Sequence, residues 1–459
     1  MSSKSKAISR RKFLAGSAST AAGVIAATAA RSFAAPQGGR SVIGANERLN
    51  AAVIGIRGQG GGHVNECAER KDICLKTICD VDERLFRGRL KNIEEKQGSA
   101  VGTEYDLRRV YDDKEIDIVC IATPNHWHAL ATIWACQVGK DVYVEKPASH
   151  NVFEGRKMVE AARKYKRVVQ HGTQIRSSGG ILEAVQKLRE GVIGEVYMAR
   201  GLCFRWRGSI GKAPNEPIPP DVHYDLWLGP APFRPYNKAY LPFDWRGWMD
   251  FGCGALGDMA CHVMDSAFWA LNLKYPTSVE ASCSKAHKIE NNETYPRAST
   301  VHYTFPARGN MPPLKLHWYD GGILPAKPEG FELRRKMSKS GTFIIGDKGS
   351  IVCGEYGESP RIFPESKMKK FKVPPKTIER INVSHEQNWI DACKGGKPAC
   401  SNFDYSGPFT ETVVMGNLAI RMPGRKLLWN GENMKVTNVD EANEFVSRPY
   451  RQGWSLSNV

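Results

Sequence analysis

The sequence lacks a long hydrophobic run, a block of Lys or Arg residues and a paired cysteine motif. The charge-free stretch over residues 13–30 has 18 residues and is rich in Ala, Gly, Ser and Thr, so it is too short and too polar for a secure membrane span. The net charge is +17, but six basic residues precede Pro36 and the others are dispersed. These absences argue against a nucleic-acid partner and against stable membrane insertion after export.

The twelve cysteines are scattered through apolar segments without the spacing of a metal site. We therefore expect buried thiols and no bound metal. A disulfide between Cys393 and Cys400 across a loop is left open by the sequence.

Residues 1–35 are predicted to be a twin-arginine signal peptide. Residues 9–14 (SRRKFL) precede the charge-free stretch, and residues 32–35 (SFAA) resemble a small-residue cleavage site. Twin-arginine signals serve proteins that fold before they cross the membrane, commonly around a cofactor. We therefore expect a periplasmic protein.

The length of 459 residues predicts two domains. Leu49 to Ile54 is a short apolar run that leads into a glycine-rich loop and a helix, and a second apolar run, Ile73 to Cys79, ends at an acid. This order is typical of a dinucleotide-binding unit, because the glycines admit the pyrophosphate and the acid accepts bonds from the adenosine ribose. The predicted cofactor contacts in this unit are Gly55, Arg57, Gly58, Gln59, Gly60 and Asp80.

Arg57 replaces the middle glycine of the Gly-x-Gly-x-x-Gly pattern. Its side chain would crowd the pyrophosphate unless it swings outward or itself pairs with a phosphate. Asp80 favours NAD over NADP, since an acid at that place repels a 2′-phosphate.

Two further strand ends supply the other predicted cofactor contacts. The apolar strand over residues 116–122 stops at Thr123, Pro124 and Asn125, with His128 on the following helix. The strand over residues 141–144 stops at Glu145, Lys146 and a proline; a surface ion pair in a turn is the alternative reading of these two charged residues. The predicted Rossmann domain spans residues 46–172. We expect these residues at the carboxyl edge of a parallel sheet, where open α/β folds bind ligands.

Residues 173–459 have a different pattern, with longer alternating strands and proline-rich loops. This pattern predicts an α+β domain with a large, open and mainly antiparallel sheet.

A glycine-rich segment leads into a predicted helix that carries Asp258, His262 and Asp265. Because residues three and four apart share one helix face, a carboxylate there can orient the imidazole as a general base. A structural Asp–His cap pair is the alternative, and a zinc site lacks a third ligand with suitable spacing.

Together, Thr123-Pro124-Asn125 with His128, Glu145-Lys146-Pro147 and Gly257-Asp258-x-x-x-His262-x-x-Asp265 resemble the Gfo/Idh/MocA family of sugar and polyol oxidoreductases. The resemblance implies a Rossmann domain followed by an open-sheet domain, and a homodimer or homotetramer. It also implies that Lys146 is the family lysine and that Asp258 and His262 are the acid/base pair.

The resulting hypothesis is hydride transfer between NAD and a secondary hydroxyl of a sugar, glycoside or cyclitol. His262, oriented by Asp258, would take the hydroxyl proton, and Lys146 would stabilise the developing alkoxide. Asn125 and His128 would contact the nicotinamide or the substrate. The residues expected to line the sugar side are Gln174, Arg176, Asp265 and His262.

Export requires the cofactor to stay bound, because no NAD pool is maintained outside the cytoplasm. One alternative is a redox-neutral glycosidase or lyase that acts through a transient keto-sugar. A non-catalytic sugar-binding protein is a third reading, which the presence of Lys146, Asp258 and His262 disfavours.

Overall fold

A computed structural model describes residues 48–207, 214–284, 293–373 and 375–456. The predicted signal peptide lies outside the described residues. Within those ranges, the helices are all too short or too polar to cross a membrane. The twelve cysteines are free thiols, so Cys393 and Cys400 do not form a disulfide.

The first layer is a six-stranded parallel sheet in the order β3-β2-β1-β4-β5-β6. Its central strands are continuous apolar runs because helices cover both faces. The strands are β1 (Leu49–Ile54), β2 (Ile73–Cys79), β3 (Gly102–Glu104), β4 (Ile118–Ile121), β5 (Asp141–Val144) and β6 (Val169–His171).

Five helices alternate with these strands, as the sequence predicted. Asn151 caps the last of them by accepting a bond of 2.9 Å from the Glu154 amide. The helices are α1 (Gln59–Glu69), α2 (Phe86–Gln97), α3 (Leu107–Asp112), α4 (Asn125–Gln137) and α5 (Val152–Lys164).

The second sheet has nine strands in the order β13-β12-β11-β7-β10-β9-β8-β14-β15. It is mainly antiparallel, as predicted, and the pair β7–β10 is parallel. The strands are β7 (Val196–Leu202), β8 (Ser278–Cys283), β9 (Ser299–Phe305), β10 (Leu314–Tyr319), β11 (Gly341–Gly346), β12 (Gly349–Cys353), β13 (Arg361–Phe363), β14 (Leu427–Asn430) and β15 (Lys435–Val436).

Helices of the C-terminal part cover one face of this sheet and also return to the first one. Trp389 of α11 (His385–Cys393) is buried against Tyr143 of β5, with ring centroids 5.7 Å apart. Phe403, at the start of α12 (Phe403–Arg421), belongs to the core beneath α4 and α5. Because these C-terminal helices pack on the parallel sheet, the contacts do not separate the chain at residue 172, and the domain boundary there stays a prediction. The helices are α6 (Gly179–Arg189), α7 (Tyr224–Leu228), α8 (Gly254–Val263), α9 (Asp265–Ala270), α10 (Glu365–Lys370), α11 (His385–Cys393) and α12 (Phe403–Arg421).

Candidate active site

A cavity of about 740 Å³ opens at the carboxyl ends of β1, β4 and β5, where the sequence predicted the ligand site. Most of the predicted site residues line it. They are Gly55, Arg57, Gly58, Gln59, Asp80, Thr123, Pro124, Asn125, His128, Glu145, Lys146, Gln174 and His262.

The glycine loop between β1 and α1 is shaped by positions that exclude a side chain. Gly55 has a φ of +81°, and a Cβ there would lie 2.8 Å from the Ala122 carbonyl. A Cβ on Gly60 would lie 1.7 Å from the Gly55 carbonyl oxygen. The loop therefore presents bare backbone and the N-terminal end of α1 to the cavity, which is the environment that a pyrophosphate requires.

Arg57 points away from the loop. Its guanidinium lies 2.7 Å from an oxygen of Asp82, and its side chain is 44 % exposed. Arg84 binds the other oxygen of Asp82 at 2.6 Å. The arginine in the middle glycine position thus leaves the backbone of the loop accessible, which is one of the two outcomes that the sequence allowed.

Asp80 ends β2 at the adenosine side of the cavity. Its two carboxylate oxygens accept bonds of 2.8 Å from the Ile56 amide and 3.0 Å from the Asp82 amide. Burial raises its pKa to about 6, against the opposing effect of these two bonds. Each oxygen keeps a lone pair, so the carboxylate can still accept from ribose hydroxyls.

Thr123 supplies an independent sign that a polar ligand belongs in this cavity. Its hydroxyl is buried at the cavity wall and has no partner among the described residues. Buried polar groups are nearly always satisfied. With the bare glycine loop, the end of α1 and Asp80, this hydroxyl completes a set of residues that fits a dinucleotide.

His128 does not have the predicted role. Its two ring nitrogens lie 2.7 Å from the Pro147 carbonyl oxygen and 2.8 Å from the Thr123 carbonyl oxygen, so neither is free for cofactor or substrate. Burial lowers its pKa. The structure therefore does not support the predicted contact of this imidazole with nicotinamide or substrate hydroxyls, and the ring holds the loop that carries Lys146.

Glu145 forms a buried pair with His63, a residue that the sequence reading missed. His63 Nε2 lies 2.9 Å from Glu145 Oε1. Burial would raise the pKa of Glu145, but the His63 bond and the charges of His63 and Lys146 outweigh it and lower the value to about 2. Gln174 approaches the same oxygen at 3.4 Å. The position of His63, one helical turn after the glycine loop, was the available signal.

Lys146, which follows β5 of the parallel sheet, forms a salt bridge with Asp258 of α8. Its Nζ donates bonds of 2.8 Å to both the carboxylate and the backbone oxygen of Asp258. Burial lowers the pKa of Lys146, but the charge of Asp258 reverses the effect and raises it above its usual value. The side chains of Lys146 and Asp258 are only 17 % and 11 % exposed, so this pair is not the surface pair of Glu145 and Lys146 that was the alternative reading of the sequence.

His262 lies beside this pair but is not bonded to it. Its Nδ1 is buried without a partner among the described residues, and its ring packs edge-on to Tyr356 at 5.0 Å. Burial and then the charge of Lys146 lower its pKa to about 3. The imidazole is therefore neutral over the physiological range.

Asp258 does not orient His262, which corrects the predicted pairing. Its Oδ1 accepts from Lys146 and its Oδ2 lies 3.0 Å from Arg207. Arg246 is 3.6 Å from Oδ1. The helix places Asp258 and His262 on one face, but the cations compete more strongly for the carboxylate than a neutral imidazole does.

Asp265 and Arg176 do not line the cavity, so the structure does not bring them to the predicted sugar side. Helix α8 ends at Val263, and Asp265 begins a separate helix with its side chain fully buried. Its carboxylate accepts from the Tyr405 hydroxyl and lies 3.9 Å from Arg176. The guanidinium of Arg176 is 3.4 Å from the Tyr405 ring centroid. These residues form a packed core cluster.

Two family models match the chain. Residues 49–173 match "Oxidoreductase family, NAD-binding Rossmann fold", and residues 185–305 match "Oxidoreductase family, C-terminal alpha/beta domain", both of the Gfo/Idh/MocA type. The two matches together cover more than half of the chain. The chain belongs to the Gfo/Idh/MocA oxidoreductase family. Residues 49–173 are its NAD-binding Rossmann domain.

Curated relatives within the family are named as glycosidases. A glycosyl hydrolase family 109 protein of Shewanella baltica is 30% identical over 203 residues, or 41% of this chain and 44% of the relative. An alpha-N-acetylgalactosaminidase of Shewanella oneidensis is 28% identical over the same length. The chain thus spans less than half of the length of these curated relatives.

Solved Gfo/Idh/MocA-like structures cover more of the chain at lower identity. The WlbA dehydrogenase of Chromobacterium violaceum, in complex with NADH and UDP-GlcNAcA, has a TM-score of 0.58 at 20% identity, over 84% of this chain and 97% of that one. The aldose-aldose oxidoreductase of Caulobacter crescentus has a TM-score of 0.55 at 18% identity, over 83% and 100%. At these identities the likeness establishes the fold alone.

Proposed function

We propose that the protein is an exported oxidoreductase that transfers hydride between a retained NAD and a secondary hydroxyl of a sugar, glycoside or cyclitol. The observation that carries this proposal is that a charged Lys146 and a neutral His262 both line the cavity beyond the glycine loop. Lys146 can stabilise an alkoxide, and His262 can accept a proton.

The two side chains divide the chemistry at the hydroxyl oxygen. NAD supplies hydride acceptance and return when bound. Two contacts of Lys146 Nζ go to Asp258, which leaves one of its three N–H donors for the substrate oxygen. His262 accepts the hydroxyl proton, and because its conjugate acid is strong, that transfer is favourable only together with departure of the hydride.

The dinucleotide end is held by other residues. The glycine loop and the start of α1 would face the pyrophosphate, Asp80 would accept from the ribose, and Thr123 would bond a polar group of the cofactor. Asn125, Glu145 and Gln174 line the stretch between the two ends of the cavity, and contacts to nicotinamide or substrate are proposed for them.

Retention of the cofactor follows from the proposed periplasmic location. We expect denatured, purified mature protein to release about one NAD per chain, with little NADP. If the protein releases no nicotinamide nucleotide and shows no binding of NAD on titration, the proposal is wrong. Cell fractionation tests the location independently, and light scattering tests the proposed homodimer or homotetramer.

A second candidate, a redox-neutral glycosidase or lyase, is favoured by the names of the curated relatives. In such a cycle a transient ketone would acidify the adjacent C–H, loss of that proton and of the leaving group would form a C=C bond, and reduction of the ketone would complete a lyase cycle; a glycosidase would add water to the C=C bond before that reduction. This candidate predicts product release without net change in nicotinamide absorbance, and deuterium uptake from D₂O at the carbon beside the ketone. Net reduction of NAD without such uptake supports the oxidoreductase.

A further inference from the structure

The wall around Asp258 carries more positive charge than that carboxylate can balance. Lys146, Arg207 and Arg246 all approach Asp258, at 2.8, 3.0 and 3.6 Å. Glu145, which is bound by His63, adds a second negative charge and also stabilises the charged forms of Lys146 and Arg246. Among the described residues, three cations therefore face two carboxylates at the reacting end of the cavity, which leaves a cationic surplus.

Arg246 is the cation of this set with the most unused bonding capacity. Its guanidinium carbon lies 4.2 Å from the ring centroids of both Trp245 and Phe243, which fix its plane. Its Nε is beyond hydrogen-bond distance of Asp258, and among the residues that the structure describes its Nη1 makes only a long contact of 3.4 Å to the Phe243 carbonyl. Arg246 lines the cavity with a side chain that is 25 % exposed.

Together, burial and the surrounding charges destabilise the charged form of Arg246. Burial and the charge of Arg207 lower the pKa of Arg246, and the charges of Asp258 and Glu145 compensate only in part, so that the pKa stays below its usual value. A planar, oriented guanidinium with free donors and an incomplete counter-charge suits bidentate binding of an oxyanion.

We propose that the substrate carries an oxyanion substituent, a carboxylate or a sulfate or phosphate ester, that is bound by Arg246. The proposal rests on the proposed function and specifies its substrate class as anionic sugars. Lys146 and Arg246 approach the same Asp258 oxygen, so the reacting hydroxyl and the anionic group belong to one sugar unit.

The test is a calorimetric titration of the NAD-loaded protein with matched ligands. The anionic ligands are glucuronate, glucose 6-sulfate and glucose 6-phosphate, and the neutral ones are glucose and the methyl ester of glucuronate. We expect at least one acid to bind about tenfold or more tightly than its neutral counterpart, and the acid that does so identifies the oxyanion. This preference should shrink as salt is raised.

Variants at Arg246 decide whether this side chain is responsible. Arg246→Met keeps the stem but removes the charge, and it should lower the ratio of acid to neutral affinity by about 30-fold. Arg246→Lys keeps the charge but loses the bidentate geometry, so it should retain a preference for acids that is weaker than in the wild type and stronger than in Arg246→Met. This order separates the effect of the charge from a loss of folding. Lys238→Met, which removes an exposed cation outside the cavity, should leave the ratio unchanged.

Equal binding of acids and neutral sugars, no binding of any acid, or an unchanged ratio in Arg246→Met overturns the inference. The proposed function fails in a different way, namely if NAD is absent or if an acid binds tightly but is never oxidised.

Discussion

The bridge between Lys146 and Asp258 gives the most informative perturbation, Asp258→Asn. The substitution keeps the shape of the side chain but removes the carboxylate that Lys146, Arg207 and Arg246 share. Removing one partner of a buried ion pair costs about 3 to 5 kcal/mol, because the remaining charge stays desolvated. We expect a loss of about 3 kcal/mol, near the lower end of this range, since both side chains keep some exposure.

The same variant should change the pH dependence of activity. Burial lowers the pKa of Lys146 and Asp258 raises it, so the pKa of the ammonium must fall when the carboxylate becomes an amide. The alkaline limb of the kcat profile should therefore move to lower pH, with kcat reduced at neutral pH as well. A merely structural role for Asp258 would lower stability without moving that limb.

The stability contribution of the bridge has a defined pH range. The pKa of Asp258 is lowered from 3.8, so its contribution is complete above that value and is lost as pH falls towards the folded-state pKa. The pKa of Lys146 is raised from 10.5, so its contribution is complete below 10.5 and is lost as pH rises through the folded-state pKa. The difference in stability between wild type and variant should thus be largest from about pH 5 to pH 10.

Chemical denaturation across that range and kcat against pH are the two assays. Asp404→Asn is the matched control, because Asp404 pairs with Arg163 where both side chains are about two-thirds exposed, and it should cost less than about 1 kcal/mol. If Asp258→Asn is as stable as this control, or its alkaline limb coincides with that of the wild type, the assigned role of the bridge is wrong.

Other substitutions test the remaining assignments. His262→Asn should lower kcat by about 10²-fold or more with folding intact. Because the pKa of His262 is about 3, the kcat of the wild type should not decline between pH 7.5 and 5.5. A fall in kcat centred near pH 6.5 would contradict the role of His262 as a neutral base. Gly60→Ala should abolish NAD retention, whereas Gly62→Ala, which meets nothing within 4 Å, should retain it; equal retention would show that the loop tolerates a side chain. Arg176→Met should lower the free energy of unfolding by about 3 kcal/mol without changing KM in the protein that remains folded. A rise in KM without a loss of stability would instead indicate that Arg176 contacts the substrate.

Local sequence signals predicted the cofactor half well. Leu49–Ile54 and Ile73–Cys79 are strands with the predicted bounds, because each is an apolar run that a glycine or an acid ends. The loop positions Gly55 and Gly60 are constrained by their own backbone and nearest neighbours, so their role can be read without knowledge of the rest of the fold.

Local sequence signals did not predict which side chains of the site form hydrogen bonds and ion pairs with one another. Helical spacing placed Asp258 near His262, but the partner of its carboxylate is Lys146, 112 positions away in the chain, together with two arginines. Helical spacing also failed for Asp265, since α8 ends at Val263 before reaching it. Tyr356 reaches the cavity from the loop after β12, and no local motif marks it. These errors arise where long-range contacts decide the outcome.

The return of α11 and α12 to the parallel sheet has a consequence for biosynthesis. The core that supports β5 contains Trp389, and the core beneath α4 contains Phe403 and Trp454, so neither can close on a nascent chain that ends after β6. We therefore expect the nucleotide half to become stable only after nearly the whole polypeptide has left the ribosome. A fragment that ends after β6 would leave the apolar surfaces beneath Trp389, Phe403 and Trp454 uncovered.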